Sequence, residues 1–357
     1  MYSILKISIL SIIIVLLFGG CNSQPPPSDE SSSTVVTTSV LKQKTVTKTR
    51  IVFVTHEVTS TNSFWAIIKR GADQAAKDFN ITVEYHSLKK FDMALMAQLI
   101  EEVVATNPDG LVVSIPDEKI LASAIKKAVE ADIPVISINA GQEATIRNTG
   151  REATTKNEFQ EAPTNLGALT HVGQLEYEAG IQAGERLAEA GVRHGFCVNH
   201  WVGNLAIDAR CEGFTDAMLS AGGIADTLAV DPTKPDDIQQ RIDMALETIS
   251  DVDGILTNNS NVGIATLKAL KKSDLLGKVK LATFDLSPQV IEAIQNKEIL
   301  FAVDQQQYLQ GYLPVMLLYL YLTNRNLPVD KITPTGPEFV TIENVAAVIE
   351  AIEKGTR

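Results

Sequence analysis

Amides, one carboxylate and neighbouring aromatic rings are the chemistry-bearing residues that stand where apolar runs of this chain end. Asn139, the segment His200-Trp201-Val202-Gly203-Asn204, Asn258 to Asn261 and Asp285 each follow such a run, as does the segment from His56 to Trp65. An Asn side chain offers a donor and an acceptor on one group, Asp accepts from two hydroxyls, and Arg donates in a fixed fork, a set suited to vicinal hydroxyl groups. The apolar C–H face of a sugar ring can lie on Phe or Trp, so Phe64 and Trp65 read as platforms. The competing reading is that one of them staples the first helix to its sheet. Trp201 and Asn204 add an aromatic and an amide at the rim of the second half of the chain.

Other chemistries find little support. The first strand ends in Thr55-His56-Glu57-Val58 rather than in a glycine-rich dinucleotide turn, and there is no P-loop and no Gly-x-Ser-x-Gly elbow. The five histidines lack metal-ligand spacing, so no metal and no cofactor are expected. They read as surface or loop residues, with His56 and His200 placed to touch a ligand. No catalytic constellation emerges, and the chain reads as a binding protein, not an enzyme.

The elements that position these residues alternate. Strands at 50–56, 81–86, 110–115 and 133–139 are interleaved with helical patterns at 64–79, 93–106 and 118–131. After a polar stretch at 140–165 the rhythm restarts with 169–174, helix 176–190, strand 194–199 and helix 206–221, and continues to about residue 298. Strands that are apolar on both faces and separated by helices imply an α/β fold of two doubly wound parallel-sheet lobes. In such sheets a ligand sits beyond the carboxyl ends of the strands, where the residues above fall. The run 311–324 is strongly apolar but short and carries Pro314, which favours a buried helix over a membrane span.

A length of 357 residues suits two lobes, and the formal charge of -12 argues against nucleic acid as a partner. Residues 1–20 hold Lys6, then an apolar run from Ile7 to Phe18, then Gly19-Gly20 before Cys21. Twelve helical residues rise only about 18 Å, short of a ~30 Å hydrocarbon core, so the run reads as a signal peptide. Small residues before a cysteine resemble the lipobox of bacterial lipoproteins, in which that cysteine is lipidated; Phe18 departs from the usual leucine. Residues 21–49 then form a Ser-, Thr- and Pro-rich disordered tether to the membrane. Cys197 and Cys211 remain, either paired in a disulfide or buried as thiols.

Several segments, in this order and spacing, resemble the type I periplasmic binding protein superfamily, specifically the ribose-binding-like proteins of sugar ABC transporters. They are Asn62-Ser63-Phe64-Trp65 with Arg70-Gly71-Ala72, the strand ending in Asn139, Arg210-Cys211-Glu212-Gly213-Phe214, Asn258-Asn259, Thr283-Phe284-Asp285, and Asp304-Gln305-Gln306 through Gly311. The resemblance covers roughly residues 50–315. It implies that Asn62, Asn139, Asn259, Asp285 and Gln305 bond ligand hydroxyls while Phe64 and Trp65 sandwich the ring. Arg210 either joins them or caps its lobe, since Asn204 and Asp208 stand nearer the strand end. Ser63 replaces the family's proline, and Asn139-Ala140 lacks the arginine of the ribose binders, so D-ribose is not implied.

The lobes expected are 50–172 with about 305–328, and 173–304 with about 329–357, joined by a multi-strand hinge. The function implied is extracytoplasmic capture of a sugar or polyol by a monomer, lipid-anchored at the periplasmic or cell-surface side of the membrane, for delivery to an ABC permease. The alternative is presentation of the bound ligand to a membrane receptor.

Overall fold

The computed structural model describes residues 48–56, 63–142, 166–231, 234–249 and 251–357. The expected signal peptide, Cys21, the expected tether up to residue 47 and Asn62 lie outside these residues. The described chain begins β1 (Arg50–Thr55), α1 (Ser63–Asp78), β2 (Thr82–Ser87), α2 (Met93–Ala105), β3 (Gly110–Val113), α3 (Glu118–Glu130), β4 (Val135–Ile138) and β5 (His171–Gln174). It restarts with α4 (Glu176–Glu189), β6 (His194–Asn199), α5 (Leu205–Ser220), β7 (Ile224–Ala229), α6 (Pro235–Thr248), β8 (Gly254–Thr257), α7 (Ser260–Lys272), β9 (Lys280–Phe284), α8 (Pro288–Gln295) and β10 (Phe301–Asp304). It closes with α9 (Gln307–Asn324), β11 (Ile332–Gly336), β12 (Glu338–Thr341) and α10 (Val345–Glu353).

Two six-stranded sheets result, in the orders β11-β5-β4-β3-β1-β2 and β12-β10-β9-β8-β6-β7. All pairings are parallel except β10 with β12. The five leading strands of each sheet follow one permutation, with the order reversing between β1 and β3 in the first and between β6 and β8 in the second. Those reversals open a crevice beyond the strand ends. Strands β3, β4 and β8 are buried at every position, as continuous apolar strands covered by helices on both faces must be. Val52, Val54 and Leu111 pack under α2 and α3, while Ile51, Phe53 and Val112 pack under α1 and α9.

Each lobe brings two helices together through glycine. A Cβ on Gly71 of α1 would lie 2.1 Å from the Tyr308 carbonyl oxygen, and one on Gly311 of α9 would lie 1.8 Å from that of Ile68. In the second lobe Gly180 of α4 faces the Arg210 oxygen and Gly213 of α5 faces the Tyr177 oxygen, each at 2.1 Å from the missing Cβ. No other residue fits where backbones meet so closely.

The chain passes between sheets at 174–176, 304–307 and 336–338. The last crossing corrects the boundary expected near 328, because β11 pairs with β5 in the first sheet and only β12 joins the second. Pro334 hides β11 from sequence pattern; it is tolerated there because β11 is an edge strand with an irregular register between Pro334 and Gly336. All of β5, including Gly173 and Gln174, likewise belongs to the first sheet rather than passing to the second after residue 172. The apolar run around Pro314 is α9, packed on α1, and no described helix is long and apolar enough to cross a membrane.

Candidate functional site

The crevice between the two sheets holds an empty volume of about 770 Å³, continuous with solvent. From the first sheet, His56 follows β1 directly. Its backbone N–H reaches Ser114 Oγ at 3.2 Å, and its ring Nδ1 lies 2.8 Å from the same oxygen, tying the ends of β1 and β3 together at the reversal. Burial pushes the imidazole down to about 3, so it is neutral at physiological pH. Trp65 stands edge-on to this ring at 4.9 Å and is 2% exposed, a core residue that also borders the crevice. The stapling role therefore belongs to Trp65, with Phe64 packed on it at 5.4 Å. Asn139 sits at the end of β4 with φ of 60°, a left-handed conformation that turns its side chain away from the strand's path.

The second sheet contributes most of the polar groups. Asn199 organises the turn after β6: its Oδ1 accepts from the Trp201 N–H at 2.8 Å and its Nδ2 donates to Asp208 at 2.7 Å. Asn204 and Asn259 cap α5 and α7, accepting from the N–H groups of Ala206 and Val262 at 3.1 and 2.8 Å. Both border the crevice, but their carbonyl oxygens are committed to the caps. Asn258 is arranged the other way. Its Nδ2 donates to the Val198 carbonyl at 3.1 Å, while its buried Oδ1 has no hydrogen-bond partner among the described residues.

Arg210 lines the crevice and is 2% exposed. It forks onto Glu176, with Nε to Oε2 at 2.6 Å and Nη2 to Oε1 at 3.0 Å, and its Nη1 reaches the Asn258 carbonyl at 3.3 Å. Its guanidinium also lies over the Phe284 ring at 4.4 Å. Asp285 directly follows β9 with φ of 68°, and Gln305 Nε2 donates to its Oδ1 at 2.7 Å. Burial, opposed by Arg210 and Gln305 and reinforced by Glu176 and Asp304, pushes the Asp285 carboxyl up to about 7. Gln305 is held by its backbone, whose carbonyl accepts from Thr335 and Gln310 across the crossing segment, and its Oε1 has no partner among the described residues. Gln307, the first residue of α9, also borders the crevice, its buried Oε1 without a partner among the described residues.

Phe64, Trp65, Asn139, Trp201, Asn204, Arg210, Asn259, Asp285 and Gln305 thus all border one crevice. Sequence reasoning missed three things. Glu176, 34 residues from Arg210, carries no local signal. Phe91, between β2 and α2, meets Trp201 across the crevice at 4.0 Å between ring centres, so rings from both lobes touch. His56, His171 and His200 are buried rather than surface residues, each held near 3 by desolvation, which for His200 is joined by the charge of Arg210. Cys197 and Cys211 are disulfide-bonded.

Two doubly wound lobes with a polar, aromatic-edged crevice at their strand ends define a solute-binding protein. Residues 51–326 match the periplasmic binding protein domain family, and the chain belongs to that family. It is similar, at 33% identity and a TM-score of 0.75, to a carbohydrate transporter from Acidothermus cellulolyticus solved in complex with myo-inositol, over 87% of this chain and all of that one. It is 25% identical to the xylose/arabinose-binding protein XylF of Sulfolobus acidocaldarius, over 83% of this chain and 72% of that protein. It is 22% identical to the D-ribose/D-allose-binding protein of Pseudomonas aeruginosa, over 75% and 80% of the two chains.

Proposed function

We propose that this chain is the extracytoplasmic solute-binding protein of an ABC transporter and that its ligand is a neutral sugar, polyol or cyclitol. The observation that carries the ligand class is the balance of uncommitted groups in the crevice. Asp285 and the unpartnered oxygens of Asn258, Gln305 and Gln307 accept. The only buried cation bordering the crevice among the described residues, Arg210, is already neutralised by Glu176. The amide N–H groups of Asn204 and Asn259, whose oxygens serve the caps, remain to donate. A guest whose every polar group both donates and accepts suits this set, whereas a carboxylate or phosphate would meet buried acceptors with no free cation. Phe64, with Trp65 behind it, supports the ring's apolar face. Asn139, Trp201 and Asn62 complete the contacts.

Binding is capture by closure. A ligand touching both lobes favours the closed state by its differential affinity for it, and the permease reads that state. The relatives named above bind inositol, pentoses and ribose or allose, which supports the same class here. Cys21 as a lipidated terminus, with residues 22–49 as tether, would hold the folded body at the membrane.

A thermal-shift and calorimetric screen of myo-inositol, D-xylose, L-arabinose, D-ribose and D-allose tests this reading. A true ligand at 100 times its Kd stabilises by about 2.7 kcal/mol, a readily measured rise in Tm. A response to amino acids or sugar acids alone, with none to any neutral polyol, would overturn the ligand class. Cys21→Ser is expected to release the protein from membranes, and unchanged attachment would refute the anchor.

A further inference from the structure

The disulfide joins the two elements that frame the second lobe's side of the crevice. Cys197 lies in β6 and Cys211 in α5, 14 residues apart with Cα atoms at 5.5 Å. The loop they close contains His200, Trp201, Asn204 and Arg210, which all border the crevice. Both sulfurs also lie against the side chain of Asn258, whose Nδ2 is 3.2 Å from Cys197 Sγ and 3.3 Å from Cys211 Sγ. With the Val198 carbonyl, the sulfur pair holds this amide in one orientation and leaves its Oδ1 as the free acceptor. Asn258 in turn receives Arg210 Nη1 on its backbone oxygen. A second empty volume of about 530 Å³ is lined by Cys211 with Asn199, Asp208, Glu212, Thr215 and Asp216, although both half-cystines are themselves buried.

We propose that the Cys197–Cys211 disulfide is a positioning crosslink for the ligand site, fixing the Asn258 amide and the start of α5 against β6 before the ligand arrives, so that opening the bond weakens ligand affinity. This rests on the reading of the crevice as the ligand site. A preformed polar half-site avoids ordering cost at the moment of binding. Opening the bond places two electrons from a phosphine reductant and two protons from water on the sulfurs, and the phosphine leaves as its oxide, carrying the oxygen of that water. The two thiols then separate beyond bonding distance, and the amide loses one of the two sulfur contacts that orient it.

The experiment measures the Kd for myo-inositol by calorimetry at 20 °C for five forms: oxidised protein, protein reduced with a water-soluble phosphine, Cys197→Ala/Cys211→Ala, Asn258→Ala without reductant, and Asn258→Ala with reductant. Ligand-free amide hydrogen exchange at 199–204 and 258–261 is followed in parallel. Reduction is expected to weaken binding by about tenfold, the worth of one well-placed polar contact. Asn258→Ala is expected to lose a similar factor and to lose no more on reduction, because positions acting through one another are not additive. Exchange should rise at the two segments and stay unchanged in β3 and β4. Unchanged Kd on reduction, or losses that simply multiply, would reduce the disulfide to a structural staple and overturn the proposal while the polyol reading stands. If no polyol binds the oxidised protein, the polyol reading fails, and the exchange pattern alone decides the positioning role: a rise confined to the two segments supports it and no rise refutes it.

Discussion

The first lobe brings His56, Phe64, Trp65 and Asn139 to the crevice, whereas the second brings Asn258, Asp285 and the Arg210–Glu176 pair. Both sets stand on the same strand permutation, and the strand-end reversals are tied alike, His56 to Ser114 in one lobe and Asn258 to Val198 in the other. The difference lies in what fixes the side chains. Packing fixes the rings of the first lobe, since Trp65 is part of its hydrophobic core. In the second lobe, hydrogen bonds and paired charges do so at low dielectric, where an unpaired group is costly. In the proposed reading, one face is a platform with little power to discriminate, and the other reads hydroxyl positions.

That contrast can be broken most forcefully at Glu176. Glu176→Gln leaves Arg210 buried without its charge partner and is expected to destabilise the protein by about 3–5 kcal/mol, seen as a lowered Tm and denaturant midpoint. A loss under 1 kcal/mol would mean that the second half-site does not depend on charge pairing. Next in size, Asp285→Ala is expected to weaken polyol binding by about 100-fold without lowering Tm, because it removes a charged acceptor but also a carboxyl that burial disfavours. Retained affinity in calorimetry would take Asp285 out of the site.

A smaller effect is expected with pH. The unfolded Asp285 titrates near ~3.9 and the folded one near 7, so between these values the folded state keeps a proton that the unfolded chain has released. The contribution of this group to stability is therefore greatest toward pH 4 and falls as pH rises through 7. Hydroxyl donors prefer the ionised carboxylate, so affinity runs the opposite way, weakening by up to about tenfold per unit below pH 7. His56 and His200, held near 3, do not titrate in this window. A flat Kd from pH 5.5 to 8 would contradict the assignment. The mildest test sits across the gap: Phe91→Ala removes the contact with Trp201 and is expected to weaken every ligand by the same factor, about 2- to 10-fold. A ligand-selective loss would give the aromatic side a reading role after all.

Most of the architecture was legible because continuous apolar strands and amphipathic helices report their own burial. The strand-end amides were legible because a doubly wound sheet has one place for a ligand. What stayed hidden depended on distant partners or on competing uses of one residue type. Asn258 and Asn259 are adjacent and chemically identical, yet Asn259 turns its oxygen to cap α7 while Asn258, held through its Nδ2 by the Val198 carbonyl and the two sulfurs, leaves its oxygen free, a distinction set by partners distant in sequence. Arg210 could not be assigned between site and cap without Glu176. Pro334 argued against a strand that only an edge position permits.

The helix crossings at Gly71, Gly311, Gly180 and Gly213 also bear on how variant libraries of this protein should be scored. Substituting any of the four forces a methyl group into a neighbouring carbonyl oxygen, so the layers must spread and the strand ends they support shift with them. A saturation screen scored by growth on the transported solute would mark these positions as intolerant alongside the true contacts. Purified yield, scored separately from uptake, would sort the two groups.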